Sequence, residues 1–165
     1  MSNRHAIAAL VENEFGVLAR IAGLFSSRGY NIQSLTVAET LDPKISRMTI
    51  TTEADPAVME QIMKQLRKLV NVIKVQDVTA ENPIIRILAL VKLRTNPKKA
   101  LNLRKTVQLL KGRVLEEGSE VTIAEFVGDE NRMKQVKEKM VEFEMVEFEQ
   151  TGSIAMERGK KVIKA

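Results

Sequence analysis

HAIAALVENEFGVLARIAGLFSSRGYNIQSLTVAET, residues 5–40, switches from one residue period to another and back. Residues 5–12 read as a largely apolar strand. Val17, Ile21, Leu24 and Phe25 then recur at i, i+4, i+7 and i+8, which is one face of a helix over 17–28. Gly29 is placed to end that helix, since glycine enters the left-handed region without a Cβ penalty. NIQSLTVAET (31–40), rich in Ile, Thr and Val, returns to strand.

Working outward, Leu41-Asp42-Pro43-Lys44 has turn chemistry, and ISRMTITTE (45–53) is a third strand. Asp55-Pro56 opens a helix through Leu69, with Val58, Ile62, Gln65, Leu66 and Leu69 on one face. NVIKVQDVT (71–79) completes a βαββαβ order. Glu81-Asn82-Pro83 reads as a linker, after which the order repeats. A strand covers 84–95, and a helix runs from Pro97 to Gly112 on Leu101, Lys105, Gln108 and Leu109. A hairpin of 113–117 and 120–128 turns at Gly118-Ser119, Asp129 caps a helix to about Val141, and 143–151 is the last strand. The expected class is α+β: two ferredoxin-like βαββαβ sandwiches, residues 1–80 and 81–165. The repeat is one of element order, without obvious repetition of sequence.

The 165 residues are 44% hydrophobic, enough for two small cores. No apolar run approaches the ~18–20 residues of a membrane span. MSNRHAIAALVENE is not a charged-then-apolar leader, so a cytoplasmic protein is expected. The absence of cysteine excludes a disulfide framework, thiolate metal sites and a cysteine nucleophile. His5 is the sole histidine, which leaves no transition-metal cluster and no plausible Ser-His-Asp set. Neither phosphate-binding glycine motif occurs. Gly128-Asp129-Glu130-Asn131 reads as a helix cap, and Glu142, Glu144, Glu147 and Glu149 as the exposed parts of a strand. The expectation is a binding protein without catalytic residues or metal.

The net charge of +5 is uneven: residues 1–80 carry 9 basic and 8 acidic side chains, and residues 81–165 carry 17 and 13. Much of the excess is in ERGKKVIKA (157–165), read as a solvated basic tail, with docking on an acidic partner as the alternative. RNA-recognition domains share this topology but stack bases on aromatic side chains of the central strands. Strands 5–12, 45–53 and 84–95 carry no aromatic residue, so no nucleic-acid partner is expected.

The two ends of the first helix each carry polar residues. At its start, Gly16 lets a ligand approach helix N–H groups that favour a carboxylate, and Asn13 can donate or accept beside it. The same residues are also common in an ordinary strand-to-helix turn. Asn31 lies beyond the other end, ~18 Å away for ~12 residues at 1.5 Å each. One chain therefore cannot bring Asn13, Gly16 and Asn31 to one small molecule. A twofold axis pairing strand 31–40 with its twin can. That strand is at a sheet edge in a ferredoxin-like order, and YNIQSLTVA (30–38) has no charge or proline to defend it. Such a cleft, with Leu18, Ile32 and Leu35 as walls, suits a small apolar amino acid.

These features resemble the ACT domain, a ferredoxin-like regulatory module that often binds amino acids at dimer interfaces. LVENEFGVLARIAGLFSSRGYNIQSLTVAET, SRMTITT and KQLRKLVNVIKV, followed more loosely by LALVKLR, KGRV and TGSIAMERG, resemble the small regulatory subunit of acetolactate (acetohydroxyacid) synthase. Pro83–Ile87 and Glu116–Ser119 depart from that family's usual pattern. The resemblance implies a non-catalytic subunit that activates a large catalytic subunit and confers feedback inhibition by valine. It places Asn13, Gly16 and Asn31 at valine-binding positions, with Val17, Leu18 and Ile32 as neighbours. It assigns thiamine diphosphate, Mg²⁺ and FAD to the catalytic partner and none to this chain, and it makes the second domain the activating one. A free-standing amino-acid sensor acting on transcription or translation is the alternative, supported only by the basic tail.

Overall fold

A computed structural model describes residues 4–164. They form two compact units: residues up to Ile84 together with those from Gly152 onward, and Ile85–Thr151.

In the first unit the order is β1 (Arg4–Glu12), α1 (Val17–Ser27), β2 (Ser34–Glu39), β3 (Ile45–Glu53), α2 (Pro56–Leu66) and β4 (Val72–Asp77). The antiparallel sheet is ordered β2-β3-β1-β4, the ferredoxin-like arrangement, with β2 at one edge. Alternation along the strands sends Ile7, Ala9 and Val11 of β1 and Met48 and Ile50 of β3 to the same face. Val17, Ile21 and Phe25 of α1 and Met59, Ile62, Met63 and Leu66 of α2 close that face into a core. Each such large side chain contributes about 1.5–3 kcal/mol relative to exposure. α1 ends where the sequence predicts: Gly29 has φ 70°, and the Tyr30 N–H donates to Phe25 O at 2.9 Å. α2 departs from expectation. It buries Met59 and Met63 beside Ile62 and Leu66, its last residue is Leu66, and Gln65 and Leu69 sit at the margin.

The second unit repeats the order with β5 (Ile84–Arg94), α3 (Ala100–Leu109), β6 (Arg113–Glu117), β7 (Val121–Gly128), α4 (Glu130–Met140) and β8 (Met145–Gln150). Its strands follow β6-β7-β5-β8. Ile87, Ala89, Val91, Leu93, Ala124 and Phe126 pack with Leu103 and Val107 of α3 and Met133, Val136 and Met140 of α4. The face expected of α3 is therefore wrong. Leu101 and Leu109 are exposed, and the buried stripe is Leu103, Val107 and the following Leu110. The helix begins at Ala100, three residues after Pro97, with a turn before it. The Asp129 cap is as expected: its carboxylate accepts from the Arg132 N–H at 2.9 Å.

At the C-terminus, residues from Gly152 onward group with the first unit, whereas the sequence reading carries the second unit to 165. Ala6, Ala8, Thr49 and Thr51 point away from the helices, on the same face as Ser34, Arg47 and Gln76. Segment 152–158, including the short strand β9 (Ile154–Met156), is bonded to that face. The Ser153 N–H donates to Ser34 Oγ at 3.3 Å, and Arg47 Nη2 donates to the Ala155 carbonyl at 2.9 Å. Gln76 Nε2 donates to Glu157 Oε1 at 2.6 Å, and Arg158 Nε donates to the Asn82 carbonyl at 2.9 Å. The first two residues of the expected solvated tail are thus anchored.

Candidate functional site

Residues 13–16 form the loop from β1 into α1. Gly16 is the N-cap, with φ 81°, in the left-handed region that costs other residues strain. A Cβ built there meets nothing within 4 Å, so the position is open to solvent. α1 has no side-chain cap and no acidic residue in its first turn. In α2 and α4, by contrast, Asp55 and Asp129 occupy the N-terminal N–H groups. The Val17 N–H reaches Glu14 O at 3.4 Å, whereas Leu18 and Ala19 have no intrahelical acceptor. An uncapped helix start with a bare glycine presents N–H donors to an anion.

Asn13 is more committed than its sequence position indicates. Its backbone N–H donates to Lys44 O at 2.8 Å, and its Nδ2 donates to Pro43 O at 2.9 Å and Glu39 Oε1 at 3.1 Å. Both amide hydrogens are used, which leaves Oδ1 as an acceptor suited to an ammonium group. The loop is held from below by Asn71, a buried residue at the entry to β4 that sequence reading passed over. Asn71 Nδ2 donates to Glu12 Oε2 at 2.6 Å, and its Oδ1 accepts from Arg20 Nη1 at 2.5 Å. One amide thus ties the residue before the loop to the first turn of the helix after it. The only sequence signal for it is an Asn breaking the apolar pattern LVNVI.

Among the apolar candidates, Val17 is buried in the core, so its side chain is not presented to a ligand. Leu18 is 43% exposed, and Phe15, which sequence reading did not single out, is fully exposed at the tip of the loop. At the far end of α1, Asn31 is exposed; its carbonyl accepts from Thr52 Oγ1 at 2.7 Å, and its side chain has no bond among the described residues. Ile32 and Leu35 are half-buried against the core, Leu35 on the same face as Ile50. α1 has 11 residues, ~16 Å at 1.5 Å each, so Gly16 and Asn31 of one chain are held apart by the helix between them. Asn13, Gly16 and Leu18 stand together at one end, and Asn31 and Ile32 at the other.

β2 is shorter than the expected strand 31–40 but extended at both ends by the Gln33 N–H to Thr51 O and the Thr40 N–H to Ile45 O, both 2.8 Å. Val37 on this edge is 42% exposed. The corresponding edge of the second unit, β6, carries Arg113, Glu116 and Glu117 and a register shift. Beside it, a cleft of about 470 Å³ between α3 and β6 has the Arg104–Glu117 ion pair, 2.5 Å, in its lining. Charges and a bulge are devices that block strand addition, so the two units share a topology but not an open edge.

His5 is a half-buried strand residue whose Nδ1 lies 2.9 Å from Asp77 Oδ2. Among the described residues no group of three or more His, Cys, Asp or Glu is placed to hold a metal ion, and no helix is long and apolar enough to cross a membrane.

An uncapped, glycine-opened helix and a free edge on a ferredoxin-like sheet are features that the resemblance to ACT-type regulatory domains leads one to expect. Residues 7–74 match the family model described as the AHAS (acetohydroxyacid synthase) small subunit-like ACT domain. Residues 86–159 match the model described as small subunit of acetolactate synthase. The chain is 41% identical over 158 residues to a probable acetolactate synthase small subunit of Archaeoglobus fulgidus, covering 96% of this chain and 99% of that one. It is 35% identical to the acetolactate synthase isozyme 3 small subunit of Salmonella typhimurium, covering 98% and 99%. The crystal structure of the acetolactate synthase small subunit from Thermotoga maritima superposes with a TM-score of 0.88 at 32% identity, over 96% of this chain and 99% of that one. The chain belongs to the family of acetolactate synthase small subunits, the regulatory rather than the catalytic component.

Proposed function

We propose that this chain is an amino-acid-responsive regulator that activates an acetolactate synthase large subunit and makes it subject to feedback inhibition by valine. The observation that carries the reading is the division of the polar residues: Asn13 and Gly16 at one end of α1, Asn31 at the other, and the open edge β2 alongside. A homodimer pairing β2 with its twin sets the Gly16 loop of one protomer beside Asn31 of its partner, forming two equivalent sites. The ligand carboxylate meets the N–H groups at the start of α1, Asn13 Oδ1 and the Asn31 amide take the ammonium, and Leu18 and Ile32 face the isopropyl group. Thiamine diphosphate, Mg²⁺ and FAD belong to the large subunit in this reading, and the second unit supplies activation. The dimer works in the cytoplasm without a nucleic-acid or membrane partner.

Inhibition requires valine to favour a form of the regulator that no longer stabilises the active synthase, with a coupling of ~1–3 kcal/mol. Linkage makes this reciprocal, so the large subunit weakens valine binding by the same factor. The test is calorimetry of the purified chain with valine, leucine and isoleucine, alone and with the large subunit, alongside assays of the reconstituted synthase. Saturable valine binding that the large subunit weakens supports the reading; failure of all three amino acids to bind, or a synthase unaffected by the chain, rejects it.

A further inference from the structure

Where β5 begins and β7 ends, the second unit has a hollow of about 440 Å³ lined only by its own residues, among them Arg86, Lys111, Asp129, Arg132 and Gln135. Three cations meet one carboxylate there, and that carboxylate is already engaged: Asp129 Oδ1 accepts from the Arg132 N–H at the start of α4. None of the three cations is in an ion pair among the described residues. Each arginine is held through one nitrogen by a backbone carbonyl, Arg86 Nη1 by Ile85 O at 2.7 Å and Arg132 Nη1 by Leu110 O at 2.8 Å. The other N–H groups of both guanidinium forks stay available. Arg132 lies across Gly128, where an added Cβ would stand 2.7 Å from Arg132 Cβ and 2.9 Å from its Cγ, so the glycine makes room for the arginine stem.

Lys111 is the least expected of the three. α3 closes with the Lys111 N–H on Gln108 O and the Gly112 N–H on Val107 O, both 2.8 Å, the same pair of bonds with which α1 closes around Gly29. That position favours glycine because its φ is positive, yet position 111 has φ 52° and carries lysine, which is strained there. The glycine stands one residue later, where a Cβ would strike the Phe126 ring, so packing dictates Gly112. No hydrogen bond or ion pair of its side chain among the described residues accounts for lysine at 111, whereas a place in the lining of a cationic hollow does.

We propose that this hollow binds a compact multivalent anion of the phosphate class, the phosphoryl group of a small metabolite. The excess of cations over carboxylate matches a phosphate dianion, and free guanidinium N–H groups suit its oxygens. The volume falls within the range of small-ligand pockets, about 300–1,000 Å³. Asn131 and Gln135 add amide donors, and no aromatic side chain lines the hollow, so the site reads the phosphoryl group rather than a nucleobase. It uses no residue of the first unit and holds whether or not valine binds.

The test titrates pyrophosphate and inorganic phosphate into the full-length chain by calorimetry, with poly-glutamate as the acidic-peptide arm. The variants are Arg86→Gln, Lys111→Gly and, as control, Lys134→Gln, which changes an exposed α4 lysine outside the hollow. Expected is saturable pyrophosphate binding that weakens about tenfold in Arg86→Gln and in Lys111→Gly and stays unchanged in Lys134→Gln. Lys111→Gly should at the same time raise the urea midpoint, because it relieves the positive φ; a lysine with a purely structural role would not lower affinity while its loss raises stability. Absence of saturable pyrophosphate binding at millimolar concentration overturns the site, as does full affinity in both hollow variants. An equal loss in Lys134→Gln also overturns it, since the attraction then belongs to the basic surface in general. Poly-glutamate that binds more tightly than pyrophosphate, and loses its affinity in the same two variants, overturns the phosphate assignment in favour of an acidic protein segment.

Discussion

Gly16 and Asn31 act in different ways and separate cleanly in experiment. At φ 81°, any side chain at position 16 strains the backbone, by about 1–2 kcal/mol for a non-glycine residue. Gly16→Ala and Gly16→Asp should therefore lower stability by similar amounts in urea unfolding. Only Gly16→Asp, which puts a carboxylate where the proposal seats the ligand's own, should abolish valine binding and inhibition while activation persists. Asn31 makes no side-chain bond within the chain, so Asn31→Ala should leave stability unchanged. In the proposed site it removes a hydrogen bond to a charged group, worth ~1.5–3 kcal/mol, and should weaken valine binding roughly ten- to hundredfold by calorimetry. Asn71→Ala is the reverse case, because it strands Glu12 and Arg20 beneath the loop. A loss of about 1–3 kcal/mol in urea unfolding is expected. Asn13, Gly16 and Asn31 were legible as candidates because turn glycines and asparagines stand out at helix ends. Asn71 was not: its importance comes from a partner 51 residues away.

At the scale of elements, β2 and α3 carry the sharpest expectations. Val37→Lys places a charge on the open edge without touching the core, so the chain should stay folded by circular dichroism but sediment as a monomer that no longer binds valine. In α3, Leu103→Ala should cost about 2–5 kcal/mol and Leu101→Ala less than about 0.5 kcal/mol, as measured by urea unfolding. The sequence alone admits both stripes in that helix. Leu101 and Leu109 have helical spacing, as do Leu103, Val107 and Leu110, and only packing against β5 and β7 decides between them. The cross-strand Lys92–Glu147 pair, 2.8 Å, lowers the Glu147 pKa from its ordinary 4.5 and raises that of Lys92 from 10.5, in both cases chiefly through the hydrogen bond between them. Its small stabilisation is thus complete between those ordinary values. It should fade as pH falls through the depressed Glu147 value or rises through the elevated Lys92 value, and Glu147→Gln should flatten both limbs of the stability profile.

For the whole molecule, the repeated βαββαβ order was readable because alternation and turn period are local signals, and both sheets have the strand order that this succession implies. The seating of 152–158 was not readable. Ser153 meets Ser34 across 119 residues and Ala155 meets Arg47 across 108, and no local period reports such pairings. The composition of the tail described its charge and concealed its anchor. The same logic governs the candidate site: its residues were visible as candidates, and the assembly proposed for them draws on a partner chain.

That assembly can be measured in a heterodimer of one Gly16→Asp protomer and one Asn31→Ala protomer, purified through two different tags. If each site takes its Gly16 loop from one protomer and its Asn31 from the other, one of the two sites collects both defects and the other none. Calorimetry should then give about one valine per heterodimer at the parent affinity, although neither variant homodimer binds normally. If each chain instead builds its own site, every site in the heterodimer is damaged and no parent-affinity binding returns, which would contradict the account.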